Sequence, residues 1–446
     1  MRIESHFTLL IYPFRHAIVD AEAVPRLAVL DDRWRPWWRR LDGPALGRAL
    51  DDTYFFLPHI RRHLLFPEVA LLASDPAAQV KDAERVAHMP ASSLVTLLAQ
   101  ERLRGASVLR LTLDAGVLAT LQPLRLESAP DASGQPAGSF PVRIDWIDVV
   151  LFPQEVGVLV IKVSLDEAGP TADRVNDFLY DLRYVHAPAV DWRLPAFRCA
   201  TGPPFGARDP VDFLLQGVAA DTDVTDGSID TYLPRANAVT GPRRYSATDH
   251  GQIYGQIFRQ YSYGCLDERV PEAGRGTGPA LFASPPQRIL YELATVTQTA
   301  DADYAPHPRA LSRLLERGHI ALWANWEGLA LHDNVVFLGT RPSAFTRKTL
   351  PHNVEMDYFH LYLLTLYQKL RLSFLSGELM RRDVDFVKDR LEASHLWDAY
   401  TRFRNHYWFV EVTSKPQGIA LFRQFQRGLG VRALHGAVAS EVRELR

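Results

Sequence analysis

The stretch YFHLYLLTLYQKLRL, residues 358–372, decides how this chain is read. On a helical wheel Phe359, Tyr362, Leu363, Leu366, Tyr367, Leu370 and Phe374 form one broad apolar face, and Leu361, Leu364 and Leu372 carry it round the side. A helix that spans a bilayer needs roughly 20 nearly uncharged residues, whereas this run meets Lys369 and Arg371 and then GELMRRD. The stretch is therefore expected not to cross a membrane, and its wide apolar girth calls for neighbours on two sides. A central helix of a monomeric core meets that demand, and so does a helix also covered by subunit contacts.

Outward from that helix, the composition is that of a sizeable folded protein. The chain has 446 residues, 47% hydrophobic and 23% charged, enough to bury a large core in two or three domains. Fifty basic against fifty-two acidic residues leave a net charge of −2, which provides no overall basic field for nucleic acid. Cys199 and Cys265 lie far apart and match no zinc or redox spacing, which points to a reducing, cytoplasmic compartment. The N-terminal MRIESHFTLLIYPFRHAIVD is broken by Arg15 and His16 and lacks a small-residue cleavage site, so it predicts a strand rather than a signal peptide.

Period-2 and period-3.6 patterns alternate along the first three quarters. FTLLIYPF is a strand, followed by a connector with Trp34, Trp37 and Trp38 and by helices around 45–72 and 91–104. SVLRLTLD is a second strand, and 142–165 is a hairpin turning at Pro153 to Glu155. Thr171 is positioned to cap a helix with Val175, Phe178, Leu179 and Leu182 on its apolar side. From Pro188 to about Gly278 the chain is dense in Pro, Gly and Asp around one strand, GQIYGQIFRQYSYG. Helices SPPQRILYELATVT and LSRLLERG follow, and then HIALWANWEGLALHDNVVFLGT as two strands with a turn near Glu327 to Gly328 or His332 to Asn334. After Val354 nearly everything is helical. The expectation is an α+β fold with a mixed N-terminal α/β part at 1–187, a loop-rich β-containing part at 188–353 and a helical, stalk-like part at 354–446.

Three motifs bear on chemistry. GRGTGP, with Gly274, Gly276 and Gly278, has acidic residues before it and Pro279 after it, which suits a flexible loop rather than a phosphate cradle. His59 and His63 stand one helical turn apart with Glu68 beyond, but Arg61 and Arg62 between them repel a cation, which favours a structural or surface role. No Gly-x-Ser-x-Gly elbow occurs. The strongest metal candidate is ADTDVTDGSID, where Asp221, Asp223, Asp226 and Asp230 offer hard oxygen ligands suited to Mg2+ or Ca2+; the glycine and terminal glutamate of a calcium loop are out of place or missing, which favours a solvated acidic loop.

The C-terminal segment FRNHYWFVEVTSKPQGIALFRQFQRGLGV (403–431), its closing helix and the order of strands before helices together resemble the soluble end of the CorA-type magnesium channel family. The resembling part is Tyr358 to Arg446, and the likeness is one of layout and spacing. The family's Gly-Met-Asn signature and its membrane helices are not in this sequence, so none of the pore chemistry is carried over. The resemblance implies a non-enzymatic cytosolic sensor or gating domain at the inner face of a membrane, magnesium bound by acidic residues, and five subunits around one axis. Val431, Leu434, Val438, Val442 and Leu445 repeat at spacings of 3 and 4 without a Gly or Pro stop, as in a helix that continues toward membrane segments or in a natural terminal helix that frays. That stripe is the expected self-association seam. Two other classes stand beside the sensor: a soluble interaction subunit of a bacterial signalling or defence assembly, and a metal-dependent enzyme.

Overall fold

Strand β1 (Ile3–His16) is the spine of a mixed sheet. The computed structural model describes residues 1–16, 33–36, 55–57, 59–60, 108–128, 138–152, 156–184, 196–199, 214, 229–231, 235–236, 244–245, 258–267, 281–297, 304–380 and 390–444. The other strands in chain order are β2 (Trp34–Pro36), β3 (Leu109–Leu113), β4 (Leu124–Glu127), β5 (Ser139–Leu151), β6 (Val156–Leu165), β7 (Ala196–Cys199) and β8 (Ile229–Thr231). Then come β9 (Arg235–Ala236), β10 (Arg244–Tyr245), β11 (Arg259–Leu266), β12 (His319–Trp323), β13 (Trp326–Ala330) and β14 (Asn334–Gly339). Among the described residues the main path runs β12-β13-β14-β11-β1-β6-β5-β3-β2, with β4, β7 and β8 joined at its margins and β9-β10 a separate pair. Among the described residues only β11 and β14 pair in parallel, and the crossover between them carries two helices and the β12-β13 hairpin.

Among the described residues the helices of at least one full turn begin with α1 (Ala115–Thr120), α2 (Ala172–Tyr184), α3 (Pro285–Thr295) and α4 (Pro308–Gly318). A continuous helical run follows, made of a π turn (Phe345–Thr349), α5 (Leu350–Asn353), a second π turn (Val354–Tyr358) and α6 (Phe359–Met380). The chain closes with α7 (Arg390–His406), α8 (Pro416–Gly428) and α9 (Val431–Glu444). Strands grouped toward the first part and helices toward the end make the fold α+β.

Alternation along the strands sorts side chains onto two faces. Leu10 and Tyr12 of β1, Leu159, Ile161 and Val163 of β6 and Val336 and Leu338 of β14 face α2 and α3, whose Val175, Phe178, Leu179, Ile289 and Leu290 complete that core. Phe7, Leu9, Ile11, Val158, Val160, Val335 and Phe337 face the other way, toward α6. A register shift between Ile144 and Trp146 reverses the phase of β5, so that Ile144 and Ile147 share one face while Trp146 and Val150 share the other. Thr171 caps α2 by accepting from the Arg174 amide at 3.2 Å, and Ser284 caps α3 by accepting from the Gln287 amide at 3.3 Å.

Every residue from Tyr358 to Leu372 is buried, including Lys369 and Arg371. The helix is a middle layer. Its sheet side meets Phe152, stacked on Tyr367 with centroids 4.6 Å apart, and Tyr261, edge-on to Phe359 at 5.3 Å. Its outer side meets α8 and α9, where Phe425 stands edge-on to Tyr362 at 5.7 Å. A polar thread crosses these layers: Arg432 donates to Gln426, Gln426 to Gln368 and Gln368 to the Tyr407 carbonyl, at 3.2, 3.2 and 2.9 Å. No described helix is long and apolar enough to cross a membrane.

Some expectations need adjustment. Residues 319–340 form three strands, because Ala324 and Asn325 make a turn of their own ahead of the one at 331–333. Strands from both sides of the expected 187/188 boundary share the sheet, and α6 packs beneath it, so the three expected parts contribute to one core. Of the terminal stripe, Val431, Val438 and Val442 are buried in that same core, so those three side chains are covered within the chain; Leu445 lies outside the described residues. The expected helices at 45–72 and 91–104 also lie outside them, except for His59 and Ile60, which are helical, and residues 55–57, which are not α-helical.

Candidate functional site

On the α6 face of the sheet, in a region rich in aliphatic and aromatic groups, Arg110 of β3, Trp146 and Asp148 of β5, and Lys162 of β6 bring charged and polar groups together. The pairing of strands explains their proximity. Arg110 stands opposite Val150 and Thr112 opposite Asp148, so Arg110 and Asp148 are diagonal neighbours on one face. Trp146 and Lys162 are direct cross-strand partners.

The helical run supplies the other half. Pro351 has no amide hydrogen and its ring excludes the carbonyl four residues back, so the ladder cannot continue there as a plain α-helix, and a π turn lies on each side. In a regular helix residues five apart point about 140° away from each other. The wide turn at Val354–Tyr358 takes in an extra residue and brings Glu355 and His360 to the same sheet face.

Arg110 Nε donates to Asp148 Oδ2 at 2.7 Å, with a second guanidinium nitrogen 2.6 Å from the same oxygen. Arg110 Nη1 lies 3.1 Å from His360 Nε2, and His360 Nδ1 lies 2.7 Å from the Met356 carbonyl oxygen. A carbonyl only accepts, so Nδ1 carries the hydrogen and Nε2 accepts from Arg110, which assigns the neutral Nδ1–H tautomer. Arg110, Asp148 and His360 are 6%, 0% and 3% exposed. Beside them Glu355 receives the Trp146 indole N–H at 2.9 Å and the Lys162 ammonium at 2.8 Å. Lys162 also lies 3.3 Å from Asp145 and 4.9 Å from the Phe7 ring centroid. The Arg110 guanidinium sits 5.6 Å from the Trp146 ring centroid. The arrangement is a buried ionic relay that clamps the sheet to the start of α6.

A second titratable feature lies on β1. Burial, then the nearby Arg143 charge, push the His6 imidazole down to about 4, against the Leu165 backbone and the Glu167 carboxylate. With the folded value below the ordinary 6.5, the unfolded chain binds more protons between about 6.5 and about 4, so stability is full above 6.5 and falls as pH drops through that window. His6→Asn is expected to flatten the slope of stability against pH there, measured by urea unfolding at several pH values.

The residues singled out in the sequence fall elsewhere. Asp221, Asp223 and Asp226 lie outside the described residues, as do Gly274, Gly276, Gly278, His63 and Glu68. Asp230 belongs to β8, with its backbone opposite Arg15 of β1. His59 is exposed, its ring 6.1 Å from that of Phe409. Cys265 is buried and unbridged. Among the described residues no group of three or more His, Cys, Asp or Glu side chains is placed to hold a metal ion. The relay was not anticipated; its signal in the sequence is the charge inside apolar runs, Arg110 in LRLTL, Asp148 in DWIDVVL and His360 in YFHLYLL. Comparison of the chain with protein-family models, with curated proteins and with solved structures found no match.

Proposed function

We propose that the chain is a non-catalytic sensing domain, the soluble sensor or gating part of a CorA-like membrane protein, in which the relay sets the position of α6 against the sheet. The observation that carries this is the fully covered Arg110–Asp148–His360 chain, which joins strands to a helix 250 residues later in sequence. Buried ion pairs are poor sources of net stability, and their best-attested use is to select one arrangement over another. The strands-then-helices order and the layered α6, α8 and α9 support the same assignment. Five-fold assembly, if it follows the resemblance, uses surfaces other than Val431, Val438 and Val442.

The ion such a sensor would take is magnesium, held by the aspartates at 221–230. Magnesium is expected to raise the melting temperature and to slow hydrogen exchange over residues 354–380. Asp221→Asn with Asp223→Asn removes two formal charges and is expected to abolish both effects. A wild-type protein whose melting and exchange are indifferent to millimolar Mg2+ and Ca2+ overturns the sensor assignment. The second assignment, a soluble interaction subunit, is favoured by Val410, 83% exposed between α7 and α8. A native reading frame that continues past Arg446 into two apolar spans decides for the first, and a stop codon there for the second.

A further inference from the structure

Helices α4 and α8 meet beside β12, the last strand on the sheet's main path, and between them carry an arginine face. On α4, Arg309, Arg313 and Arg317 recur every fourth residue and all are exposed. On α8, Arg423 and Arg427 repeat the same step and are also exposed. Four residues of helix rise about 6 Å, so each row presents guanidinium groups at that interval.

The two rows are held together. The Gln424 amide donates to the Arg317 carbonyl, and Arg427 Nη1 donates to Gln424 Oε1 at 3.2 Å, so one side chain links the two helices where their arginines approach. Gly318 and Gly428 both abut the Ala330 carbonyl oxygen, which a Cβ at either position would meet at 2.7 Å. Only glycine permits such contact. The C-terminal ends of both helices are thereby held against one peptide of β13.

Glu316 lies three residues from Arg313 on the same side of α4 and offsets one of the five charges. Glu316 is the sole acidic residue of α4, and α8 has none. The nearby Glu327 is engaged by His319 at 3.0 Å. Among the described residues no carboxylate forms an ion pair with any of the five arginines. Five like charges beside a single carboxylate repel on balance, and a partner of opposite sign relieves that repulsion.

We propose that the α4–α8 face docks an acidic protein helix whose Asp or Glu residues recur every fourth position. Guanidinium groups pair with carboxylates in a two-pronged geometry, and the partner's carboxylates repeat at the same interval of about 6 Å. A net charge of −2 over the whole chain provides no long-range attraction for a nucleic acid or an anionic membrane, whereas a short acidic segment responds to the local field. This docking is independent of the sensor assignment and of magnesium.

The test is fluorescence anisotropy with a labelled helical peptide bearing Glu at every fourth position, against the same peptide with Gln, a short DNA duplex and vesicles rich in phosphatidylserine. The Glu peptide is expected to bind the full chain more tightly than the other three, and more weakly as salt rises. Arg313→Glu with Arg423→Glu is expected to weaken it roughly tenfold or more at an unchanged melting temperature. Arg313→Lys with Arg423→Lys is expected to lose only part of the affinity, since charge remains and the two-pronged geometry does not. Equal binding of the Glu and Gln peptides, or of wild type and the reversed variant, overturns the proposal. Tighter binding of DNA or vesicles that the same reversal abolishes overturns the choice of partner.

Discussion

Asp148→Ala is expected to lower the free energy of unfolding by about 3–5 kcal/mol, because it leaves the Arg110 guanidinium buried without its counter-ion. The carboxylate is 0% exposed, with two guanidinium nitrogens at 2.6 and 2.7 Å from one oxygen. Removing it costs more than the pair contributes, since the desolvation of the cation stays and its compensation goes. The control is the joint replacement Arg110→Met with Asp148→Leu, which removes both charges and keeps comparable volume, and is expected to recover most of the loss. Urea unfolding of the single and joint variants measures the difference. A single variant within about 0.5 kcal/mol of wild type, the range of ordinary surface changes, contradicts the relay geometry.

Tyr367→Ala is the second large effect, about 3–5 kcal/mol by analogy with other buried aromatic-to-alanine changes. Its ring is stacked on Phe152 of the strand layer, with an interplanar angle of 13°, and edge-on to Tyr407 after α7 at 5.3 Å, so its loss opens a cavity between two layers at once. Val410→Ala, at a side chain 83% exposed, is the comparison and is expected to stay within about 0.5 kcal/mol. Similar losses in the two variants would show that α6 is not the packed centre of the molecule.

Much of the fold could be read from local pattern. Apolar residues on all sides of 358–372 announce a helix covered from two directions, and the alternation across 142–165 announces a hairpin. The third strand of 319–340 was missed because the segment is apolar almost throughout and turns twice, which periodicity alone does not resolve. The terminal stripe shows the general difficulty. A 3 and 4 spacing declares that one side of α9 is covered, and the covering surface turned out to belong to this chain. The relay was hidden for a stronger reason. Arg110 and Asp148 are 38 residues apart and His360 is 250 beyond Arg110, so their meeting depends on strand register, a bulge and a π turn, none of which has a local signature of function.

The central claim is that the relay clamps the start of α6 to the sheet. Hydrogen exchange in His360→Leu, compared with wild type, tests it most directly, since leucine fills most of the space and removes the helix's half of the contact with Arg110. Opening free energies are predicted to fall over residues 354–364 while those of α3, on the opposite face of the sheet, stay unchanged and act as an internal reference. Unchanged protection over 354–364, or an equal fall in both helices, would contradict the account.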